Sequence, residues 1–345
     1  MAPTCGKRRP PLPPVERVPQ RTQDLTGVQH GTEVTLIWPA PVRNAPDSSV
    51  QSIRRVDVYR VAEKLNAPLP MTEDQFEARA TLIGSVPFEE IKKGDAQLTY
   101  TDKLELAGEP ARLRYAIRYV NAAGQRAAFS NFFLMTPAFK VAAPPTNIRK
   151  TEEETANIIS WDPPMANIDG STPVNLLGYN VYRIVKSQPE NELKPLNPEP
   201  VTATQFRDKN FKFGESYYYF VRTVSLGPES KQVESLSSDR IPVTQIDKYP
   251  PAPPDMTPPG AGPGVISLFW TANSEPDVAG YYVYRSTDPN QPLNTWLKLT
   301  PNPQVRTTFR DQNVEAGKTY YYYVTAVDNA ANESKPSQVV SQTVP

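Results

Sequence analysis

Apolar and polar residues alternate with a period of two through much of the chain. Three such runs end in tryptophan: Val34-Thr35-Leu36-Ile37-Trp38, Asn157-Ile158-Ile159-Ser160-Trp161 and Val265-Ile266-Ser267-Leu268-Phe269-Trp270. Three others carry aromatic and β-branched residues at every second position: Leu113, Tyr115, Ile117, Tyr119; then Tyr217, Tyr219, Val221; then Tyr320, Tyr322, Val324, Ala326. This is the pattern of a strand with one face on a core, and these side chains are expected to point inward. One stretch breaks the period. Thr72-Glu73-Asp74-Gln75 ahead of Phe76 has the form of a capping box and predicts one short helix.

The runs belong to a threefold repeat. After each tryptophan comes Val-Tyr-Arg, at Val58-Tyr59-Arg60, Val181-Tyr182-Arg183 and Val283-Tyr284-Arg285. An aromatic-x-Asp step follows, ending at Asp102, Asp208 and Asp311. Repeats two and three also share Leu196-Asn197-Pro198-Glu199-Pro200 and Leu299-Thr300-Pro301-Asn302-Pro303 in one register. From tryptophan to aspartate the first repeat spans 64 residues (Trp38 to Asp102), against 47 (Trp161 to Asp208) and 41 (Trp270 to Asp311), so it carries an insertion, about 62–97.

Composition agrees with many short strands. The 345 residues include 39 prolines, which helix interiors exclude, and the length divides into three units of ordinary sandwich size. Lys and Arg (37) balance Asp and Glu (37), so no net field draws nucleic acid, and no nucleic-acid partner is expected. The one cysteine, Cys5, excludes an internal disulfide, and the one histidine, His30, reads as a turn residue; no metal site and no cofactor are expected.

With these anchors the chain resembles the fibronectin type III family, most closely in the third repeat: Trp270, Gly280-Tyr281, Phe309-Arg310-Asp311, Gly317-Lys318-Thr319-Tyr320 and Val327 to Ser334 are similar to the bacterial envelope version of the module. The resemblance implies an all-β chain of three tandem immunoglobulin-like β-sandwich domains in an extended array, each with a buried tryptophan on its second strand and a tyrosine corner. Tyr217 and Tyr320 stand at that corner; the first repeat has Leu113 there. The expected map is a proline-rich tether over 1–20, a first domain over 21–141, a second over 142–248 and a third over 249–345. Ala142-Ala143-Pro144-Pro145 and Tyr249-Pro250-Pro251-Ala252-Pro253-Pro254 are read as stiff joints.

Cys5-Gly6, followed by basic and proline-rich residues, resembles the mature start of a bacterial lipoprotein, which implies lipidation at Cys5 and an outer-membrane, cell-envelope location. Met1 to Thr4 does not have the composition of a secretory leader. The sequence contains no phosphate loop, nucleophile elbow or H-E-x-x-H helix, and Asp102, Asp208 and Asp311 recur once per repeat, as turn-bonding residues do; the chain is read as not an enzyme. Two functions fit: a scaffold subunit that binds other envelope proteins, anchored through Cys5, or a carbohydrate- or matrix-binding accessory module using outward tyrosines.

Overall fold

The structure, a computed structural model, describes residues 21–40, 53–87, 97–105, 111–185 and 193–345. Cys5 and the tether lie outside these residues. The chain is all-β and builds three sandwiches, each pairing a smaller with a larger sheet, counted in strand residues, across one apolar core.

In the first sandwich β1 (Thr26–His30), β2 (Glu33–Pro39) and β5 (Gln97–Lys103) face a sheet ordered β4-β3-β6-β7, with β3 Ile53–Lys64, β4 Thr81–Pro87, β6 Ala111–Asn121 and β7 Phe133–Met135. In the second, β8 (Thr146–Glu153), β9 (Ala156–Asp162) and β11 (Gln205–Asp208) face β10 (Gly178–Val185) and β12 (Ser216–Leu226), which β13 (Gln232–Glu234) and β14 (Ile241–Thr244) flank. In the third, β15 (Asp255–Met256), β16 (Gly260–Gly262), β17 (Val265–Thr271) and β20 (Thr308–Asp311) face β19-β18-β21-β22, with β18 Val278–Ser286, β19 Leu297–Lys298, β21 Thr319–Asp328 and β22 Val340–Thr343.

Period-two alternation decides which side chains fill the cores. Trp38 packs with Leu36, Val58, Tyr115 and Ile117; Trp161 with Ile159, Tyr179, Val181 and Tyr219; Trp270 with Leu268, Tyr281, Val283 and Tyr322. The corner tyrosine of the third sandwich forms as expected: the Glu315 backbone N–H donates to the Tyr320 hydroxyl at 3.1 Å. In the first, Leu113 fills that place and is buried.

The inserted segment of the first sandwich is a packed part of it. Helix α1 (Glu73–Glu77) opens on the Thr72 capping box, with Gln75 N–H donating to the Thr72 hydroxyl and Thr72 N–H to the Gln75 side chain. A five-residue helix has too little propensity to stand alone, so packing must hold it. Phe76 supplies that packing: it is fully buried, against Phe129 and Phe132. Buried Glu63 accepts from both Arg112 and Arg114, and Arg114 also donates to the Leu69 carbonyl, fixing the loop beyond β3.

Two compact units emerge: one holds the first two sandwiches, the other the third together with Lys212–Glu215. Within the first unit, the joint read at 142–145 begins packed against the second sandwich. Val141 and Ala142 are buried; Ala142 N–H donates to Ser225 Oγ, and its carbonyl accepts from Thr223 Oγ1. The strand β13 pairs with β12 on one side and, through the single parallel pair His30–Glu234, with β1 on the other, so one sheet passes from sandwich to sandwich. Gly31 makes this approach possible: its φ is +51°, its N–H donates to the Glu234 carbonyl at 2.8 Å, and a Cβ would stand 3.0 Å from the Leu236 nitrogen. Among the described residues no helix is long and apolar enough to cross a membrane.

Candidate functional site

The repeated aspartates form one structure three times. Asp102, Asp208 and Asp311 end or nearly end a strand of the smaller sheet, and each carboxylate reaches across the core to the larger one. Asp102 Oδ2 accepts from Arg60 and the Tyr115 hydroxyl, both at 2.7 Å. Asp208 Oδ2 accepts from Arg183 at 2.6 Å and Tyr219 at 2.7 Å, and Asp311 Oδ2 from Arg285 and Tyr322 at 2.8 Å. The other oxygens of Asp208 and Asp311 accept from the N–H groups of Asn210 and Asn313, the turn bonding the sequence leads one to expect. Burial, with the adjacent carboxylate, pushes the phenols of Tyr115, Tyr219 and Tyr322 well up, so they stay neutral donors. The trio is a structural clamp. It leaves no free carboxylate at these positions for acid–base chemistry.

His30, expected in a turn, ends β1 and faces the second sandwich. Arg222 Nη1 stands 2.8 Å from His30 Nε2 and 3.0 Å from Glu234 Oε2. The other Glu234 oxygen accepts from Asn180 at 2.5 Å and Tyr182 at 2.6 Å. Burial pushes the Glu234 carboxyl up, but bonds from His30, Asn180, Tyr182 and Arg222 outweigh it and hold the group at about 2.

The outward faces of the three larger sheets differ in what covers their aromatic columns. In the first sandwich α1 seals the column: Phe76 and Phe129 have no exposed surface, Tyr59 packs edge-on to Phe129, and the Arg118 guanidinium lies 3.7 Å over Phe129 while bonding Glu77. In the second, Tyr182 and Phe220 stack 4.9 Å apart, both buried, under the Arg222 guanidinium that meets His30. The third column is covered only in part. Tyr282, Tyr284 and Tyr321 are only part-buried. Tyr284 stacks on Tyr323 at 4.6 Å, and Trp296, folded onto the sheet, contacts Tyr323 from 5.2 Å. The Tyr323 hydroxyl donates to the Leu293 carbonyl and the Trp296 Nε1–H to the Gln291 carbonyl, which pins residues 291–296 in place. Lys298 Nζ stands 3.0 Å over the Tyr282 ring; Glu333 accepts from the Tyr284 hydroxyl at 2.9 Å and the Thr325 hydroxyl at 2.6 Å. The result is a strip of ring edges and hydroxyls with one cation and one carboxylate.

Of the tyrosines singled out in the sequence, Tyr217, Tyr219, Tyr320 and Tyr322 point inward, while Tyr218, Tyr321 and Tyr323 point outward. Sequence reasoning did not pick out Trp296 or Lys298. The sequence also led us to expect no metal site; in the third sandwich Asp247, Asp277 and Asp328 bring ligand oxygens within 4.8 Å of one another, though the Asp328 carboxylate already accepts from Ala330, Asn332 and the Asn332 side chain.

No family model matches the chain. It is 26% identical to Exoglucanase B of Cellulomonas fimi over 335 residues, 92% of this chain and 25% of the enzyme. It is 32% identical to an exo β-1,2-glucooligosaccharide sophorohydrolase of Parabacteroides distasonis over 38% of this chain and 16% of that protein, and 28% identical to an amylopullulanase of Thermoanaerobacter thermohydrosulfuricus over 34% and 8%. The chain thus spans a quarter or less of the length of these curated relatives. Among solved structures, the FN1–FN3 domains of chicken CNTN1 align with 94% of this chain and 99% of theirs, loosely, at a TM-score of 0.28 and 15% identity.

Proposed function

We propose that the chain is a non-catalytic, carbohydrate- or matrix-binding accessory portion of a larger carbohydrate-active protein. The observation that carries this reading is the alignment with Exoglucanase B, which takes in 92% of this chain but 25% of the enzyme, as an appended segment does. Two further relatives, also named for action on glucans or their oligosaccharides, match through still smaller shares of their length. The three recurring aspartates support the non-catalytic part. Glycoside hydrolysis needs one carboxyl free to give a proton and another facing the sugar, whereas these are each bound by an arginine and a tyrosine. Of the two functions the sequence suggests, the relatives favour the accessory module over the envelope scaffold.

Mixing the purified chain with insoluble cellulose, xylan and starch tests this. Depletion from the supernatant by at least one polymer, with no reducing sugar released, is the expected result. A chain left wholly in solution by all of them would return the protein to the scaffold class.

A further inference from the structure

We propose that the outward face of the third sandwich's larger sheet, the column Tyr282, Tyr284 and Tyr321 with Lys298 and Glu333, is a binding site for a single neutral glucan chain lying along the strands. This assignment rests on the accessory reading and adds to it a place and a ligand class.

The strands that follow Val-Tyr-Arg and the corner place aromatic residues on the outward face of every sandwich. In the first this apolar surface is consumed internally by Phe76 of α1, and in the second Tyr182 and Phe220 lie under the Arg222 guanidinium that meets His30, leaving Tyr218 as a lone exposed ring among the described residues of that face. In the third, Tyr282, Tyr284 and Tyr321 keep part of their surface in water. These three tyrosines therefore share ring surface that a ligand could cover along one strip.

The register fixes the shape. Tyr282 lies opposite Thr325, Tyr284 opposite Tyr323 and Ser286 opposite Tyr321, so the aromatic positions form one column along the strands. Four residues of strand cover about 13 Å at ~3.3 Å each, enough for more than one sugar ring. Because Tyr284 stacks face to face on the buried Tyr323, which Trp296 covers, Tyr284 presents an edge outward rather than a flat platform. Such a surface offers apolar C–H contact interrupted by hydroxyls, which matches a chain whose own surface alternates in the same way.

Charge narrows the class. The strip carries Lys298 and Glu333, one of each sign, and Glu333 is exposed and already accepts from two hydroxyls. An acidic polysaccharide would meet that carboxylate, and a basic polymer would meet the lysine. A neutral chain can use Lys298 as a donor and Glu333 as an acceptor without opposing either.

Affinity electrophoresis of the full chain through gels containing hydroxyethylcellulose, mixed-linkage β-glucan, pullulan or the anionic polymer alginate tests the site. At least one neutral glucan is expected to retard the chain more than alginate. Tyr282→Ala and Tyr321→Ala should each weaken retardation about tenfold, while Tyr218→Ala, at an exposed tyrosine of the second sandwich, should not. Both substitutions are at part-exposed positions, and an unchanged urea midpoint would confirm that each variant folds. Should wild-type retardation survive both substitutions, the site lies elsewhere and only the accessory reading stands. Stronger retardation by alginate overturns the ligand class. No retardation in any gel, together with no depletion by insoluble polymers, removes both readings.

Discussion

Arg183 and Asp208 stand 2.6 Å apart across the core of the second sandwich, one on each sheet, and the same pair recurs as Arg60–Asp102 and Arg285–Asp311. Where a corner tyrosine is present the guanidinium also lies over its ring, 4.8 Å from Tyr217 and 5.1 Å from Tyr320. With Leu113 in that place, the Arg60 side chain is 28% exposed, against 19% and 15% for the other two.

Removing one partner of such a pair strands the other. Asp311→Ala leaves the Arg285 guanidinium and the buried Tyr322 hydroxyl without their shared acceptor and should cost roughly 3–5 kcal/mol. Urea unfolding of the unit that holds the third sandwich would show it. Arg285→Met combined with Asp311→Leu should recover much of the loss, since both charges then leave the core together.

Glu234 makes the first two sandwiches sensitive to acid. Its carboxyl titrates at about 2 in the fold instead of the ordinary 4.5. A depressed carboxyl contributes its stability above the unfolded value and loses it as pH falls through the folded one, here between about 4.5 and 2, for roughly 3 kcal/mol. Glu234→Gln should flatten that part of the stability curve; equal slopes for variant and wild type between pH 4.5 and 2 would contradict the geometry at this joint.

The core tryptophans should behave as anchors. Trp161→Ala and Trp270→Ala each remove a side chain with 1% and 4% exposure and should destabilise by about 3–5 kcal/mol, read from chemical denaturation. A near-neutral result would mean that the repeats had been aligned in the wrong register.

Proteolysis separates a packed insertion from a surface loop. Arg79 is exposed just beyond α1, yet the segment is held through Phe76 and through Glu77 to Arg118. Brief trypsin treatment should spare Arg79 in the native chain and cut there in Phe76→Ala. Thr72→Ala should cost about 1 kcal/mol by removing the cap.

Much of this fold can be read from residue types alone. Alternation around Trp38, Trp161 and Trp270 assigns strands and their inward faces, and Thr72 with Gln75 announces α1, because these signals are local. The clamps were half visible: Val-Tyr-Arg and aromatic-x-Asp stand out as repeats, but their pairing depends on the register of two different sheets. His30 illustrates the limit. Its neighbour Arg222 lies 192 residues away, and nothing near His30 in sequence points to it. The open column of the third sandwich was legible only as alternating tyrosines; that Trp296 covers Tyr323 while Tyr282 stays accessible depends on how residues 291–296 fold back.

The burial of Val141 and Ala142 inside the contact between the first two sandwiches bears on how such a gene can be rearranged. A crossover at these codons would part His30 from Arg222 and Gly31 from Glu234, leaving a raw strand edge at Gln232–Glu234 and a buried carboxylate with fewer donors. The first two repeats are therefore expected to travel between genes as one inherited block, even though each, counted by its own strands, has the size of a separate module.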